Sequence, residues 1–162
     1  PLMKELIEKY NVAVPRYTSY PTVPNWDADG FSAAEYLRLI EDNFEGANQE
    51  GMALYIHLPY CESLCTYCGC NTRITVNHQV EKPYIDAVLA EWGSYLKLFK
   101  DKPMIREIHL GGGTPTFFSP EELKRLVNGI VSTAIVTDDA SFSFEAHPGN
   151  TTREHLATLA SI

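Results

Sequence analysis

At 162 residues, with 44% hydrophobic and 21% charged side chains, the chain has an ordinary globular composition and enough length for one core, which excludes a disordered or fibrous protein. Its 13 basic and 21 acidic side chains leave a net charge of −8, with no Lys/Arg cluster, so nucleic acid is not an expected partner. No apolar run approaches the ~20 residues of a membrane helix and no secretory signal pattern is present, so no membrane span is expected and a cytoplasmic location follows, where thiols stay reduced.

The first residues, 2–10, have helical spacing of Leu2, Leu6 and Ile7. The tract Val14–Trp26 holds Pro15, Pro21 and Pro24 among aromatics, which excludes regular helix and predicts an extended arm or loop. Ser32 with Glu35 forms a capping-box pattern opening a helix whose face carries Tyr36, Leu39, Ile40 and Phe44, ended by a polar loop over residues 46–51. An alternation then begins. Residues 53–58 read as a buried strand, and residues 83–99 as a helix with Pro83 in its first turn and Tyr84, Val88, Trp92, Tyr95 and Phe99 on one face. Residues 105–110 read as the next strand, followed by a turn at Gly111-Gly112-Gly113-Thr114-Pro115-Thr116. Ser119-Pro120-Glu121-Glu122 is a strong helix start, with Leu123, Leu126, Val127, Ile130 and Val131 as its buried face. Residues 141–146 read as a third strand, and Thr151 with Glu154 caps a last helix containing Leu156 and Leu159.

Repeated β-loop-α units predict parallel strands with crossover helices, as in barrels and doubly wound sheets. A closed eight-stranded barrel takes about 250 residues. The absence of an initiating Met and the stop at Ile162 within a helical pattern fit a piece of a longer protein. The unusual residues fall at the carboxyl ends of the predicted strands: the cysteines after the first, the glycines after the second, Glu145 and His147 after the third. Both α/β architectures place ligands there.

All four cysteines lie in Cys61-Glu62-Ser63-Leu64-Cys65-Thr66-Tyr67-Cys68-Gly69-Cys70. Disulfides are disfavoured in a reducing compartment. Structural zinc usually takes its ligands from two separated pairs. A compact loop suits an iron–sulfur cluster better, because its irons lie apart and each wants a thiolate.

Cys61-x3-Cys65-x2-Cys68, with the aromatic Tyr67 before the third cysteine, resembles the signature of the radical S-adenosylmethionine (radical SAM) enzymes. Residues 15–22 (Pro-Arg-Tyr-Thr-Ser-Tyr-Pro-Thr), 55–61 (Tyr-Ile-His-Leu-Pro-Tyr-Cys), Cys68-Gly69-Cys70-Asn71 and the 111–116 segment together resemble the oxygen-independent coproporphyrinogen III oxidases (dehydrogenases). The resemblance implies an α/β fold that is an incomplete part of a radical SAM, partial TIM-type, parallel barrel: residues 1–50 as a helical and extended arm and 51–162 as the first three β/α units. It implies a [4Fe-4S] cluster on Cys61, Cys65 and Cys68, with one iron left for SAM, and Cys70 as a required cysteine outside the cluster, with a catalytic role. It places Tyr55 and Gly112 at a first SAM and Gly113 with Thr114 at a second, has Glu145 bind SAM through its ribose hydroxyls, and counts Tyr67 among the cofactor-binding residues.

The implied reaction is oxidative decarboxylation of two propionates of coproporphyrinogen III to vinyls, giving protoporphyrinogen IX in anaerobic haem synthesis, with an electron donor, an electron acceptor and a monomeric full-length enzyme. The rivals are a haem chaperone, a haem-degrading radical SAM methyltransferase and a zinc-stabilised binding module. His147 departs from the acidic residue many members carry. Arg16 could meet a propionate through a bidentate pair, and His57 and His109 read as satisfied core histidines.

Overall fold

The structure is a computed structural model that describes residues 2–12, 22, 25–27, 30 and 32–162. The chain divides into two compact units, Pro1–Tyr36 and Leu37–Ile162. In the first, helix α1 spans Leu2–Tyr10, as its spacing predicts, with an exposed Lys4–Glu8 pair one turn apart. The proline-rich tract from Pro15 to Pro21, with Arg16, lies outside the described residues.

Helix α2 spans Ala33–Glu50 and begins as expected, with Ser32 Oγ accepting from the Glu35 amide at 3.3 Å. Its end differs from expectation. The helix runs through Gly46 to Glu50, and Gly51, at φ +80°, terminates it. Of the expected face only Phe44 is buried, stacked on Phe99 with centroids 4.4 Å apart. Asn48 ties the end of α2 to the next strand, accepting from the Met104 amide at 2.6 Å and donating to the Lys102 carbonyl at 3.2 Å.

The strands of the second unit are parallel. Strand β1 (Met52–Leu58), strand β4 (Met104–Gly112) and strand β5 (Ile135–Phe144) form a sheet in the order β1-β4-β5. Between β1 and β4 lie the short strands β2 (Tyr60–Cys61) and β3 (Arg73–Ile74), which pair with each other. A 3-10 turn at His78–Val80 leads into helix α3 (Glu81–Leu96), so the helix starts and stops slightly earlier than Pro83 and Phe99 suggest. Helix α4 (Pro120–Val131) starts as predicted, Ser119 Oγ capping the Glu122 amide. Helix α5 (Arg153–Ala160) is capped by Thr152 rather than Thr151. The residue reaching back to the cap is His155, not Glu154, because His155 stands at the third helical position.

Two strand ends also differ. Strand β4 continues through Gly111 and Gly112, since Leu58 pairs with Gly112, so the expected turn begins only at Gly113. Strand β5 starts at Ile135 and ends at Phe144, leaving Glu145 just beyond it. Its pairing with β4 is interrupted: Ile105 faces Val136, yet Glu107 faces Ser141, so five steps on β5 match two on β4.

Strand alternation divides the sheet into two faces. One carries Ile56 and Leu58 from β1 and Ile108 and Leu110 from β4. It packs on Ile85 and Trp92 of α3, Leu123, Leu126, Val127 and Ile130 of α4 and Leu159 of α5. Leu156 of the same helix is 51% exposed, and His155 is buried. The His155 Nε2–H donates to the Phe118 carbonyl at 2.9 Å, which satisfies a polar group that burial would otherwise penalise. The opposite face carries Tyr55, His57, His109, Gly111 and Ser143. Among the described residues no helix is long and apolar enough to cross a membrane.

Candidate cofactor site at the carboxyl ends of the strands

The polar face is built in rows. Register pairs Tyr55 with His109 and His109 with Ser143, so three side chains lie side by side across three strands; one row on, His57 faces Gly111. The rings of Tyr55 and His109 stack 5.7 Å apart at 18°. Tyr55 is 60% exposed on this face, so it is not the core strand residue its apolar neighbours suggest. His57 is satisfied at both nitrogens: Nε2 lies 2.8 Å from the Asn71 carbonyl and Nδ1 3.2 Å from the Tyr55 hydroxyl. Because a carbonyl only accepts, Nε2 carries the proton and the Tyr55 hydroxyl donates to Nδ1. His57 thereby joins β1 to the end of the cysteine loop.

That loop is closed by the β2–β3 ladder, in which Arg73 N–H donates to the Pro59 carbonyl at 2.8 Å and Thr75 N–H to the Cys61 carbonyl at 2.9 Å. The residues between are drawn into a short hoop, with Cys68 N–H donating to the Cys65 carbonyl at 3.1 Å. All four cysteines are free thiols: Cys61 buried, Cys65 half-buried, Cys68 and Cys70 exposed. The Cys61 sulfur accepts from the Thr114 hydroxyl at 3.2 Å. Thr114, itself buried, thus ties the first cysteine to the glycine segment.

Two glycines bring backbone against β1 and the start of this loop. A Cβ on Gly113 would stand 2.5 Å from the Pro59 carbonyl oxygen and 3.0 Å from the Cys61 sulfur. Gly112 adopts φ +114°, and a Cβ there would meet the His57 ring at 2.7 Å. The ladder is carried past the strand ends by Gly113 N–H to the Leu58 carbonyl (2.9 Å) and Thr114 N–H to the Tyr60 carbonyl (3.0 Å). Below, Tyr60 lies in a cluster with Tyr84, Phe117 and Phe118, which fixes the base of both loops.

Glu145 completes the site from the third strand. Its carboxylate is half-exposed, just beyond the strand end. Its order comes from the Gly112 N–H, which donates to Oε2 at 3.0 Å, and from His109 Nε2, 3.7 Å from Oε1. Desolvation first, then the Glu145 carboxylate and Cys70, raises Tyr55 above the usual phenol range. Partial desolvation also raises Cys70, although the residue as a whole is exposed; Cys68, Glu145 and Cys61 add to it. Cys70 thus lies within electrostatic reach of Cys68, Cys61, Glu145 and Tyr55.

The structure therefore brings together Tyr55, Cys61, Cys68, Cys70, Gly112, Gly113, Thr114 and Glu145. Cys65 shares the hoop. Tyr67 is 89% exposed and has no hydrogen bond or ring contact with the others. His147 stands apart, its backbone N–H donating to Thr116 Oγ1 at 3.4 Å and its Nδ1 accepting from the Gly149 amide at 3.1 Å. His57, His109 and Ser143 are supports to which sequence reasoning gives no functional role. Their signal was the i, i+2 spacing that places Tyr55 with His57, His109 with Gly111 and Ser143 with Glu145.

No three His, Cys, Asp or Glu side chains among the described residues converge as they would around a single ion. Free thiols at Cys61, Cys65 and Cys68 on one pinned loop suit a cluster whose irons each take a separate thiolate. Cys61, Cys65 and Cys68 could hold such a group, beside the backbone of Gly112 and Gly113, which packs closely on His57, Pro59 and Cys61.

Residues 55–162 match the family described as the radical SAM superfamily. The chain is 30% identical over 158 residues to an oxygen-independent coproporphyrinogen III oxidase of Synechocystis sp., covering 98% of this chain and 33% of the relative. It is 34% identical over 143 residues to one from Mannheimia haemolytica, covering 88% of this chain and 94% of that sequence. The solved coproporphyrinogen III oxidase of Escherichia coli, a radical SAM enzyme, superposes with a TM-score of 0.76 at 29% identity, over 97% of this chain and 33% of that one. The chain spans about a third of the length of the first relatives it matches. The fold is thus the parallel α/β fold of that enzyme over part of its length.

Proposed function

The chain belongs to the radical SAM superfamily, among the oxygen-independent coproporphyrinogen III oxidases, and from that we propose that it forms the cluster- and SAM-binding part of an enzyme that decarboxylates two propionates of coproporphyrinogen III to vinyls, giving protoporphyrinogen IX. The observation that carries this reading is the meeting, at the carboxyl ends of β1, β4 and β5, of the cysteine hoop, the glycine segment and Glu145.

Cys61, Cys65 and Cys68 would hold a [4Fe-4S] cluster. When bound, the cluster and SAM together supply one-electron chemistry able to act on an unactivated C–H bond. The residues of this chain bind and orient. Thr114 sets the Cys61 sulfur through its hydroxyl. Gly112 offers backbone in place of a side chain and holds the Glu145 carboxylate, which would accept from the ribose hydroxyls of SAM. Tyr55 lies beside that SAM. Gly113 and Thr114 serve a second SAM, with Tyr67 on the exposed side of the hoop. Cys70 stays off the cluster and acts on the substrate side. An electron donor starts the reaction and an electron acceptor takes the electron left when carbon dioxide departs. The reading carries a cytoplasmic, monomeric intact enzyme, with residues 1–50 as an arm and 51–162 as its first three β/α units.

The test is anaerobic reconstitution of the intact protein with iron and sulfide, followed by a coproporphyrinogen III conversion assay. Wild type should develop the broad iron–sulfur absorbance near ~400 nm and form protoporphyrinogen IX. Cys61→Ala, Cys65→Ala and Cys68→Ala should each lose iron, while Cys70→Ser keeps iron and loses conversion. A zinc-only product would refute the cluster, and tight haem binding without conversion would favour a haem chaperone.

A further inference from the structure

We propose that His109 is a positioning residue for Glu145 and Tyr55, held in its own orientation by Ser143, so that Ser143, His109 and Glu145 act as one unit on the SAM-binding face. This rests on the reading above, in which Glu145 and Tyr55 meet SAM.

His109 occupies the middle strand of the row Tyr55–His109–Ser143 and touches something on every side. Its Nδ1 lies 2.7 Å from Ser143 Oγ, its Nε2 lies 3.7 Å from Glu145 Oε1, and its ring stacks on Tyr55. The hydroxyl of Ser143 can donate or accept, whereas the Glu145 carboxylate only accepts. The arrangement that satisfies both has Ser143 donating to Nδ1 and Nε2–H turned to the carboxylate. The acceptor-only Glu145 therefore selects the tautomer, and Ser143 holds the ring in that orientation. The 3.7 Å separation is long for a direct hydrogen bond, so His109 acts on Oε1 as an oriented dipole while the Gly112 N–H anchors Oε2 at 3.0 Å. The carboxylate is thus held on two sides.

Gly111 shows that this packing is built. It follows His109 by two residues on the same face, and a Cβ there would meet the Tyr55 ring at 2.7 Å and His109 Nε2 at 3.0 Å. The missing side chain is the space into which both rings lean toward the ligand end of the strands.

The experiment measures SAM affinity by anaerobic equilibrium dialysis on the intact, reconstituted protein, with iron content and thermal midpoint recorded for each variant. His109→Phe keeps a ring against Tyr55 and removes both polar contacts; Ser143→Ala removes one. Each should weaken SAM binding about three- to tenfold, the worth of one hydrogen bond, with iron unchanged. The readout that separates orientation from general packing is the double-mutant cycle with Glu145→Gln. If His109 works through Glu145, adding His109→Phe to Glu145→Gln costs less than about twofold more. Full multiplication of the two losses, or SAM affinity unchanged in His109→Phe, overturns the proposal. Should His109→Phe lose iron or stability, Ser143→Ala in both backgrounds decides on the same criterion. Glu145→Gln binding SAM as wild type does would sink the underlying site reading instead.

Discussion

Gly113→Ala tests the close fit between the glycine segment and the cysteine loop. The added Cβ would stand 2.5 Å from the Pro59 oxygen, 2.6 Å from its carbonyl carbon and 3.0 Å from the Cys61 sulfur. Ordinary contact begins at 3.4 Å, so the Pro59 carbonyl must retreat by about 0.9 Å. It is not free to do so, because its oxygen accepts from Arg73 N–H at 2.8 Å and Leu58, next to it, accepts from Gly113 N–H at 2.9 Å. Overpacking against backbone costs about 1–3 kcal/mol, and weakening one of those hydrogen bonds about 1 kcal/mol more. At roughly 2–4 °C per kcal/mol for a domain of this size, the thermal midpoint should fall by on the order of 10 °C. Circular dichroism melts give the midpoint, and iron content after reconstitution reports whether Cys61 has moved. Gly69→Ala is the control, since a Cβ there meets nothing within 4 Å. A Gly113→Ala midpoint equal to that of Gly69→Ala, with full iron loading, would refute the steric argument.

Gly46→Ala should stabilise by about 0.5–1 kcal/mol, since Gly46 lies inside α2 in open space; an unchanged urea midpoint would contradict a helix at that position. Phe118→Ala should cost about 3–5 kcal/mol in chemical denaturation, because Phe118 is fully buried among Tyr60, Tyr84 and Phe117; a loss below about 1 kcal/mol would mean the aromatic cluster is not packed. Asp86 joins α3 to α4, and its carboxyl is held below the usual range, first by the hydrogen bond from Lys82 and then by Arg125. A depressed folded value means this stabilisation is present above the ordinary carboxylate pKa of about 4 and lost as pH falls through the lower folded value. The thermal gap between wild type and Asp86→Asn should therefore close on acidification below about pH 4, and a gap that is constant with pH would exclude the charge pairing.

Where local chemistry sets an element, the sequence shows it. Ser119-Pro120-Glu121-Glu122 starts α4 because the cap, the fixed φ and the acidic first turn act within one turn of backbone. The cysteine spacing, the glycine run and the alternation of strands with helices are legible for the same reason. The misplaced boundaries have tertiary causes. Gly46 reads as a breaker, yet α2 continues through it because Phe44 and Asn48 beyond are held by Phe99, Lys102 and Met104. Gly111 and Gly112 read as a turn, yet partners on β1 keep them in the sheet. The cap of α5 moves to Thr152 because a buried histidine, satisfied by a distant carbonyl, can take the place usually held by a glutamate.

The support beneath Glu145 depends on register, and register here depends on an irregularity no motif announces. Had the pairing of Ile105 with Val136 continued evenly, His109 would face Ala140. Instead the pairing resumes with Glu107 against Ser141, three residues further along β5. A shift of three is odd, so it also exchanges the faces: Ser143 and Glu145 turn to the side of Tyr55 and His109, and Phe144 turns to the core. The stretch responsible, Thr137-Asp138-Asp139-Ala140, carries two residues that strands disfavour, and that is its only trace in the sequence. The cysteine loop could be read because its ligands are close in the chain. The Ser143–His109–Glu145 unit could not, because its members meet across strands only after that bulge has chosen which side chains share a face.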